Sequence, residues 1–219
     1  HESVRLERER LASAAVRAVL GKPTECVGRV QELALLEATF GQCVEDASAK
    51  MVLVTGPLGI GKSRLAHELM LRVERTDDAP RVLRACADVL SAGDSQGLIG
   101  ELVRRGLQLT DQILAGGCQA VAARAAEVLP AAELEETAPF LAELAGCGDR
   151  TLENPRLKAA RIDPALMVAQ TQEAFTRMLA ALCRRQPVVI VLDDLHLGDL
   201  PSLRALDPDD RAAIEEALS

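Results

Sequence analysis

Aromatic residues are scarce in this chain of 219 residues. It has no Trp and no Tyr, and its aromatic side chains are Phe40, Phe140 and Phe175. The core must therefore take its volume from Leu, Val, Ile and Ala, which favours a helix-rich protein with a small buried sheet. Because 48% of the residues are hydrophobic and 26% are charged, the composition excludes a disordered chain and is typical of a globular protein.

The chain also lacks an excess of basic residues. Its formal net charge of −8 at pH 7 argues against a general surface for polyanions, because nucleic-acid backbones are held mainly by clustered Lys and Arg. The only adjacent arginines are Arg104-Arg105 and Arg184-Arg185. We interpret each pair as a solvated helix face or a helix C-terminus, so no direct contact with nucleic acid is expected.

Cysteine pairs with metal-binding spacing and long apolar runs are absent as well. The six cysteines form no CxxC motif, so neither a zinc site nor a disulfide framework is expected. No apolar run approaches the roughly 20 residues that span a bilayer, and no signal-peptide pattern opens the chain. The first residue is His1 rather than Met, which indicates a fragment of a longer polypeptide.

A glycine-rich segment between an apolar run and an amphipathic run is the most informative stretch. Gly56, Gly61, Lys62 and Ser63 match the pattern GxxxxGK[ST], in which backbone N–H groups close around phosphate oxygens at a helix N-terminus. Lys62 is expected to reach the β and γ phosphates of a nucleotide. Ser63 is expected to offer its hydroxyl to Mg²⁺, a cation that prefers oxygen ligands.

The surroundings of this loop favour a phosphate-binding site over an ordinary glycine turn. Val52–Val54 is a short run rich in β-branched residues that predicts a strand before the loop. After the loop, apolar residues recur at helical spacing at Leu65, Ala66, Leu69, Met70 and Val73. Strand, loop and helix in this order are what the motif requires.

A second apolar run ends in two acidic residues. Residues 187–194 read PVVIVLDD, and five branched apolar residues without alternation predict a strand buried on both faces of a parallel sheet. Asp193 and Asp194 would then lie at the carboxyl end of that strand, where such sheets bind ligands. Residues 81–87 (RVLRACA) predict a further strand.

Helical periodicity dominates the region between these two strands. Residues 96–150 are interrupted by Gly116-Gly117, Pro130, Pro139 and Gly146, which predicts several short helices rather than one long helix. A polar stretch with two prolines covers residues 151–164. A longer helix is predicted after it, with apolar residues at helical spacing from Met167 to Leu182.

Upstream of the glycine loop, Val27-Gly28-Arg29 predicts a turn that leads into a helix. This helix would place Leu33, Leu36 and Phe40 inward. Before it, residues 1–23 read as an amphipathic lead-in helix or a linker, closed by the sequence Gly-Lys-Pro.

The segments VGRVQEL, GPLGIGKSRLAHEL and PVVIVLDDLHLGD, in this order, resemble the AAA+-like ATPase domain of the STAND class. The resemblance is strongest to the origin-recognition-like AAA ATPase module of large bacterial signalling proteins and transcriptional regulators, and it covers residues 24–200. It implies an α/β P-loop NTPase fold, with three α/β/α layers around a parallel sheet. Residues 96–185 would be a helix-rich insertion, and residues 201–219 a short helical tail.

The resemblance also assigns roles to individual residues. Gly28 and Arg29 match a segment that borders the adenine. Asp193 matches the acidic residue that holds Mg²⁺ together with Ser63, and Asp194 stands where related ATPases place the carboxylate that orients the attacking water. Many AAA+ enzymes have Glu at that position, and His196 matches a frequent residue of the same block. The loop residues expected to bind ATP or ADP are Pro57, Gly59, Ile60, Gly61, Lys62, Ser63 and Arg64.

Complete domains of this family continue past the acidic block with further strands, a polar phosphate sensor and a lid that carries an arginine. None of these is visible after Asp199, so the sheet of this chain is expected to be shorter.

We therefore predict an ATP-binding switch module with slow Mg²⁺-dependent hydrolysis, within a larger regulator whose other domains, or a second copy of the chain, are its partners. With an adenine nucleotide as ligand, sparse cysteines indicate reduced thiols and a cytoplasmic location.

Three alternatives stay open at this stage. One is a regulatory module in which the nucleotide is bound but not hydrolysed. Another is a GTPase, although the NKxD motif that reads guanine is missing and the only asparagine is Asn154. The third is a small-molecule kinase, which the acidic block fits poorly.

Overall fold

The computed structural model describes residues 28–76, 78–87, 97–148 and 154–195. The chain divides into two compact units, residues 1–76 and residues 77–219. Each unit is built around its own packed elements. The predicted lead-in helix at residues 1–23, the tail at residues 201–219 and His196 lie outside the described residues.

Among its described residues, 28–76, the first unit contains two helices, α1 (Val30–Glu45) and α2 (Lys62–Val73). Both helices were predicted from apolar periodicity, and the structure confirms them. Their buried residues are Leu33 on α1 and Leu65, Met70 and Val73 on α2. An ion pair at 2.9 Å joins Arg72 of α2 to Glu37 of α1.

The strand predicted at residues 52–54 is wrong. Residues 51–57 have no regular secondary structure, and the side chains of residues 51–54 are 41% to 49% exposed. A strand needs a neighbouring strand to bond its N–H and C=O groups, and the regular elements among residues 28–76 are the helices α1 and α2. The apolar run therefore leads into the glycine loop without regular secondary structure.

The described residues of the second unit include a small parallel sheet of two strands, β1 (Arg81–Cys86) and β2 (Val188–Asp193). Arg81 pairs with Val188 and Cys86 pairs with Asp193, so the two strands run in register along their whole length. Both strands and a parallel sheet were predicted, but the pairing of these two strands with each other was not. The prediction that β2 is buried on both faces was wrong. Every residue of β2 is half-buried, and β1 is its only partner strand among the described residues.

The second unit has six helices among its described residues. Short helices fill residues 97–144, as the glycines predicted: α3 (Gly97–Gly106), α4 (Asp111–Leu114), α5 (Gly117–Ala126) and α6 (Ala131–Leu144). They are followed by α7 (Pro155–Ile162) and the long α8 (Pro164–Cys183). The apolar core joins these helices to the sheet, and its largest fully buried side chains are Phe140, Phe175, Leu83, Ile99, Leu102, Leu107, Leu141, Leu157, Met178 and Leu182.

Two features of the helical region differ from the sequence prediction: Pro139 does not end a helix, and residues 155–162 form one. Pro139 lies inside α6 and does not end it. Proline has no N–H and removes one bond of the helix ladder, a loss that α6 tolerates with Phe140 and Leu141 fully buried beside it. The polar stretch before residue 164 contains α7, which Asn154 caps by accepting a hydrogen bond from the Leu157 N–H at 3.0 Å.

Candidate functional site

The glycine loop of the first unit adopts a conformation that needs glycine. Gly59 has a φ of +80° and Gly61 a φ of +97°, values that side chains with a Cβ rarely adopt. A Cβ at either position would meet nothing within 4 Å, so backbone conformation rather than space requires glycine there. The Ile60 N–H donates to the Pro57 carbonyl at 3.3 Å and closes the turn.

Helix α2 begins directly after this loop, at Lys62. Its N-cap residue is Gly61, no side chain caps its first N–H groups, and its first turn contains no acidic residue. The positive end of the helix dipole is therefore not offset by a carboxylate within the helix, which suits an anion. The Lys62 ammonium donates to the carbonyls of Gly56 at 2.9 Å and Pro57 at 3.3 Å, so the lysine lies against the loop that it is predicted to serve.

The other predicted phosphate-loop residues sit at the start of the same helix. Ser63 is exposed, and Arg64 is half-buried and pairs with Glu68 at 3.7 Å. The predicted phosphate-binding residues, 56–64, thus form a glycine loop and the first residues of the helix that follows it.

Arg29 and Gly28 immediately precede α1. Gly28 has a φ of +83°, and Arg29 is the N-cap residue of the helix. The Arg29 guanidinium donates to Glu32 Oε1 at 2.7 Å and to the Ile60 carbonyl at 3.1 Å. The hydrogen bond from Arg29 is the main reason why the pKa of the Glu32 carboxyl lies below its ordinary value. Arg29, one of the two residues predicted to border the base, is thus in contact with the phosphate loop.

The acidic pair lies at the carboxyl end of β2 in the second unit. Asp193 is the last residue of the strand, and its carboxylate forms an ion pair with Arg84 on β1. The side chains of Arg84 and Asp193 are 29% and 16% exposed, so the pair is partly removed from water. A guanidinium beside the carboxylate balances its charge in a place where burial alone would disfavour it.

Asp194 differs from Asp193 in both backbone and contacts. Its φ is +55°, a left-handed conformation that Asp adopts more readily than most residues with a Cβ, and the residue is exposed. The Cys86 thiol donates to Asp194 Oδ2 at 3.7 Å. Burial, followed by the charges of Asp194 and Asp193, raises the pKa of Cys86 to about 11, so this thiol stays protonated at neutral pH.

In a comparison with protein families, the family described as AAA ATPase domain matches residues 25–219, which is most of the chain. The chain belongs to the AAA ATPase domain family. Membership makes it a nucleotide-binding domain of the ATPase type with the P-loop α/β fold, and domains of this family typically bind ATP or ADP with Mg²⁺. Comparison with curated proteins and with solved structures gave no match.

The donor set of this AAA ATPase domain fits Mg²⁺. In the described part of the chain, no group of three His, Cys, Asp or Glu side chains is placed to hold a metal ion. Mg²⁺ does not need one, because it keeps several waters and takes one or two carboxylates together with nucleotide phosphates. The carboxylates of Asp193 and Asp194 supply hard oxygen ligands of this kind, and Cys86, with its raised pKa, does not compete as a thiolate.

Sequence reasoning missed the residues that surround the acidic pair. Arg84 and Cys86 reach it from β1, and Glu101 of α3 accepts a hydrogen bond from the Cys86 backbone N–H at 3.2 Å. A charged residue in the middle of the apolar strand RVLRACA was the available signal for Arg84. Its partner depends on the register of the two strands, which the local sequence does not contain.

None of the helices among the described residues is both long enough and apolar enough to cross a bilayer.

Proposed function

We propose that this AAA ATPase domain is an ATP-binding switch module with slow Mg²⁺-dependent hydrolysis, and that it works inside a larger cytoplasmic regulator of the STAND, origin-recognition-like kind. The observation that carries the proposal is the loop of residues 56–63, in which two left-handed glycines lead into an uncapped helix N-terminus with Lys62 folded against it. Its partners are an adenine nucleotide and other domains of the parent protein, or a second copy of the chain.

The roles of the individual residues follow from their chemistry. Backbone N–H groups of the loop bind phosphate oxygens, and Lys62 exchanges its carbonyl partners for the β and γ phosphates. In the first unit, Ser63 is the hydroxyl that suits Mg²⁺ bound to nucleotide phosphates. In the second unit, Asp193 is the carboxylate whose oxygens suit the same kind of cation.

Slow turnover is expected because Asp194, the residue proposed to orient the attacking water, is held in place by few contacts. Asp194 is one methylene shorter than Glu, and its exposed carboxylate is held by a weak thiol donor, Cys86. Phosphoryl transfer depends on positioning and on neutralising charge. A carboxylate with only this support contributes little to either.

Phosphate release separates this proposal from a module that binds nucleotide without hydrolysis. We expect the wild-type chain to release phosphate from ATP slowly, and Asp193→Asn to reduce the rate by about tenfold or more, because an amide is a poorer ligand for Mg²⁺. Asp78→Asn, a change at an exposed turn, should leave the rate unaltered. Release of phosphate should also stop when Mg²⁺ is chelated.

The non-hydrolysing module is the second candidate, and the contacts of the acidic pair favour it. Arg84 engages the Asp193 carboxylate, and Asp194 stands in place of the Glu of many AAA+ enzymes. A wild-type rate no greater than that of Asp193→Asn, together with measurable ATP binding, would select this candidate.

A further inference from the structure

Arg29 links the start of α1 to the phosphate loop across 31 residues of sequence. One terminal nitrogen of its guanidinium donates to Glu32 Oε1 at 2.7 Å, and the other donates to the Ile60 carbonyl at 3.1 Å. Glu32 lies one helical turn after Arg29 and holds the guanidinium in place as an i,i+3 pair. Both terminal nitrogens are therefore engaged inside the first unit.

The contact at Ile60 constrains more than one carbonyl. The C=O of Ile60 and the N–H of Gly61 belong to the same planar peptide group, and in a trans peptide they point in opposite directions. Fixing the Ile60 oxygen on Arg29 therefore directs the Gly61 N–H to the opposite side, away from the guanidinium. Gly61 precedes Lys62, so this N–H belongs to the turn that is proposed to bind phosphate.

This peptide group is otherwise easy to rotate. It lies between Ile60 and Gly61, and Gly59 comes one residue earlier; both glycines occupy left-handed conformations that glycine leaves readily. In a loop with two such glycines, the peptide group can rotate so that its C=O points toward the phosphate site in place of its N–H. A carbonyl in that position would repel a phosphate oxygen instead of binding it.

We propose that Arg29 is a positioning residue that locks the Ile60–Gly61 peptide in the orientation required for phosphate binding. The role rests on the proposed binding of ATP. It differs from the role of a base contact, because it acts on the phosphates and is indifferent to the base.

The test compares two ligands, ATP and inorganic triphosphate, which has the phosphates but no base. Isothermal titration would be made with wild type, Arg29→Ala, Arg29→Lys, and Arg75→Ala as a control at an exposed arginine of the same unit. Because Arg29→Ala removes a charged hydrogen bond, it should lower the affinity for both ligands by a similar factor, about fivefold or more. Lysine has one donor group where the guanidinium has a fork, so Arg29→Lys should recover only part of the loss, and Arg75→Ala should equal wild type.

Hydrogen exchange in the nucleotide-free chain provides the second readout. Amides of residues 56–64 should exchange faster in Arg29→Ala than in wild type, with no change in Arg75→Ala. If Arg29→Ala does not fold, Glu32→Gln serves in its place, since it keeps Arg29 and weakens only the ion pair that holds the guanidinium. A smaller loss of affinity for both ligands is then expected.

Two results would overturn the role of Arg29. One is a loss of ATP affinity with unchanged affinity for inorganic triphosphate, which would make Arg29 a base contact. The other is wild-type affinity for both ligands in Arg29→Ala. Failure of the wild-type chain to bind ATP at all would instead overturn the proposed function.

Discussion

At the scale of single residues, the acidic pair shows how two adjacent carboxylates acquire different environments. Asp193 is partly buried beside Arg84, whereas Asp194 is exposed and is contacted by the Cys86 thiol. The backbone separates the two residues, because Asp193 is the last residue of β2 and Asp194 follows it in a left-handed conformation with a φ of +55°. The partly buried carboxylate is the one suited to hold a metal ion in a fixed place, and the exposed one is suited to contact water.

Cys86 reports on the charge of this pair. Burial is the main reason for its pKa of about 11, and the charge of Asp194 is the next cause. Alkylation of Cys86 should therefore rise with pH toward that value, since the thiolate is the reactive form. Asp194→Asn removes one negative charge and should shift the profile to lower pH.

The profile is measured by mass spectrometry on the peptide that contains Cys86, after brief alkylation at a series of pH values. Asp78→Asn is the matched control and should leave the profile in place. In the chain unfolded by urea, the midpoint should return to about 8.5. A folded wild-type midpoint equal to the unfolded one would show that the strand end does not hold the thiol protonated.

At the scale of elements, a close approach between α3 and α6 sets the packing of the second unit. A Cβ added at Gly100 of α3 would lie 2.4 Å from the Leu144 carbonyl oxygen of α6, a distance that real contacts do not allow. Gly100 is buried. Here glycine is required by space, whereas at Gly61 it is required by conformation.

Gly100→Ala should therefore lower the free energy of unfolding by about 1–3 kcal/mol, because α3 or α6 must shift to admit the methyl group. Gly41→Ala is the matched substitution inside a helix, α1, where an added Cβ meets nothing within 4 Å. It should raise stability by roughly 0.5–1 kcal/mol through helix propensity. Urea unfolding of both variants checks the pair, and a stability gain for Gly100→Ala would refute the close approach.

Elements with strong local signals were predictable from the sequence. Apolar residues at helical spacing gave α1, α2 and α8, and the unbroken apolar run gave β2. Helix α7 was missed, although Asn154 followed by Pro155 is a typical helix start. The strand at residues 52–54 was predicted wrongly because strand formation depends on a partner that the local sequence does not contain.

The same distinction holds for the candidate site. The loop of residues 56–64 is contiguous, so its motif predicted its residues and its turn directly. The contacts of Arg84 with Asp193 and of Arg29 with Ile60 join residues 109 and 31 positions apart. Such contacts depend on the packing of elements, and no spacing rule within one segment predicts them.

At the scale of the whole molecule, the described residues form two units, and the candidate residues are divided between them. The phosphate loop and Arg29 belong to residues 1–76, and the acidic pair belongs to residues 77–219. The family match covers both units. Binding of nucleotide phosphates is the property that the first unit supports by its own geometry, so it is the first property to measure.

Titration of ATP in the presence of Mg²⁺ into the wild-type chain and into Lys62→Ala is the most direct test. Lys50→Ala serves as a control, because Lys50 is an exposed lysine of the same unit whose ammonium donates to Gln42. We predict binding to wild type and to Lys50→Ala in about the micromolar range, and a loss of about tenfold or more in Lys62→Ala. Absence of binding to wild type, or equal binding by wild type and Lys62→Ala, would contradict the assignment of residues 56–63 as the phosphate site.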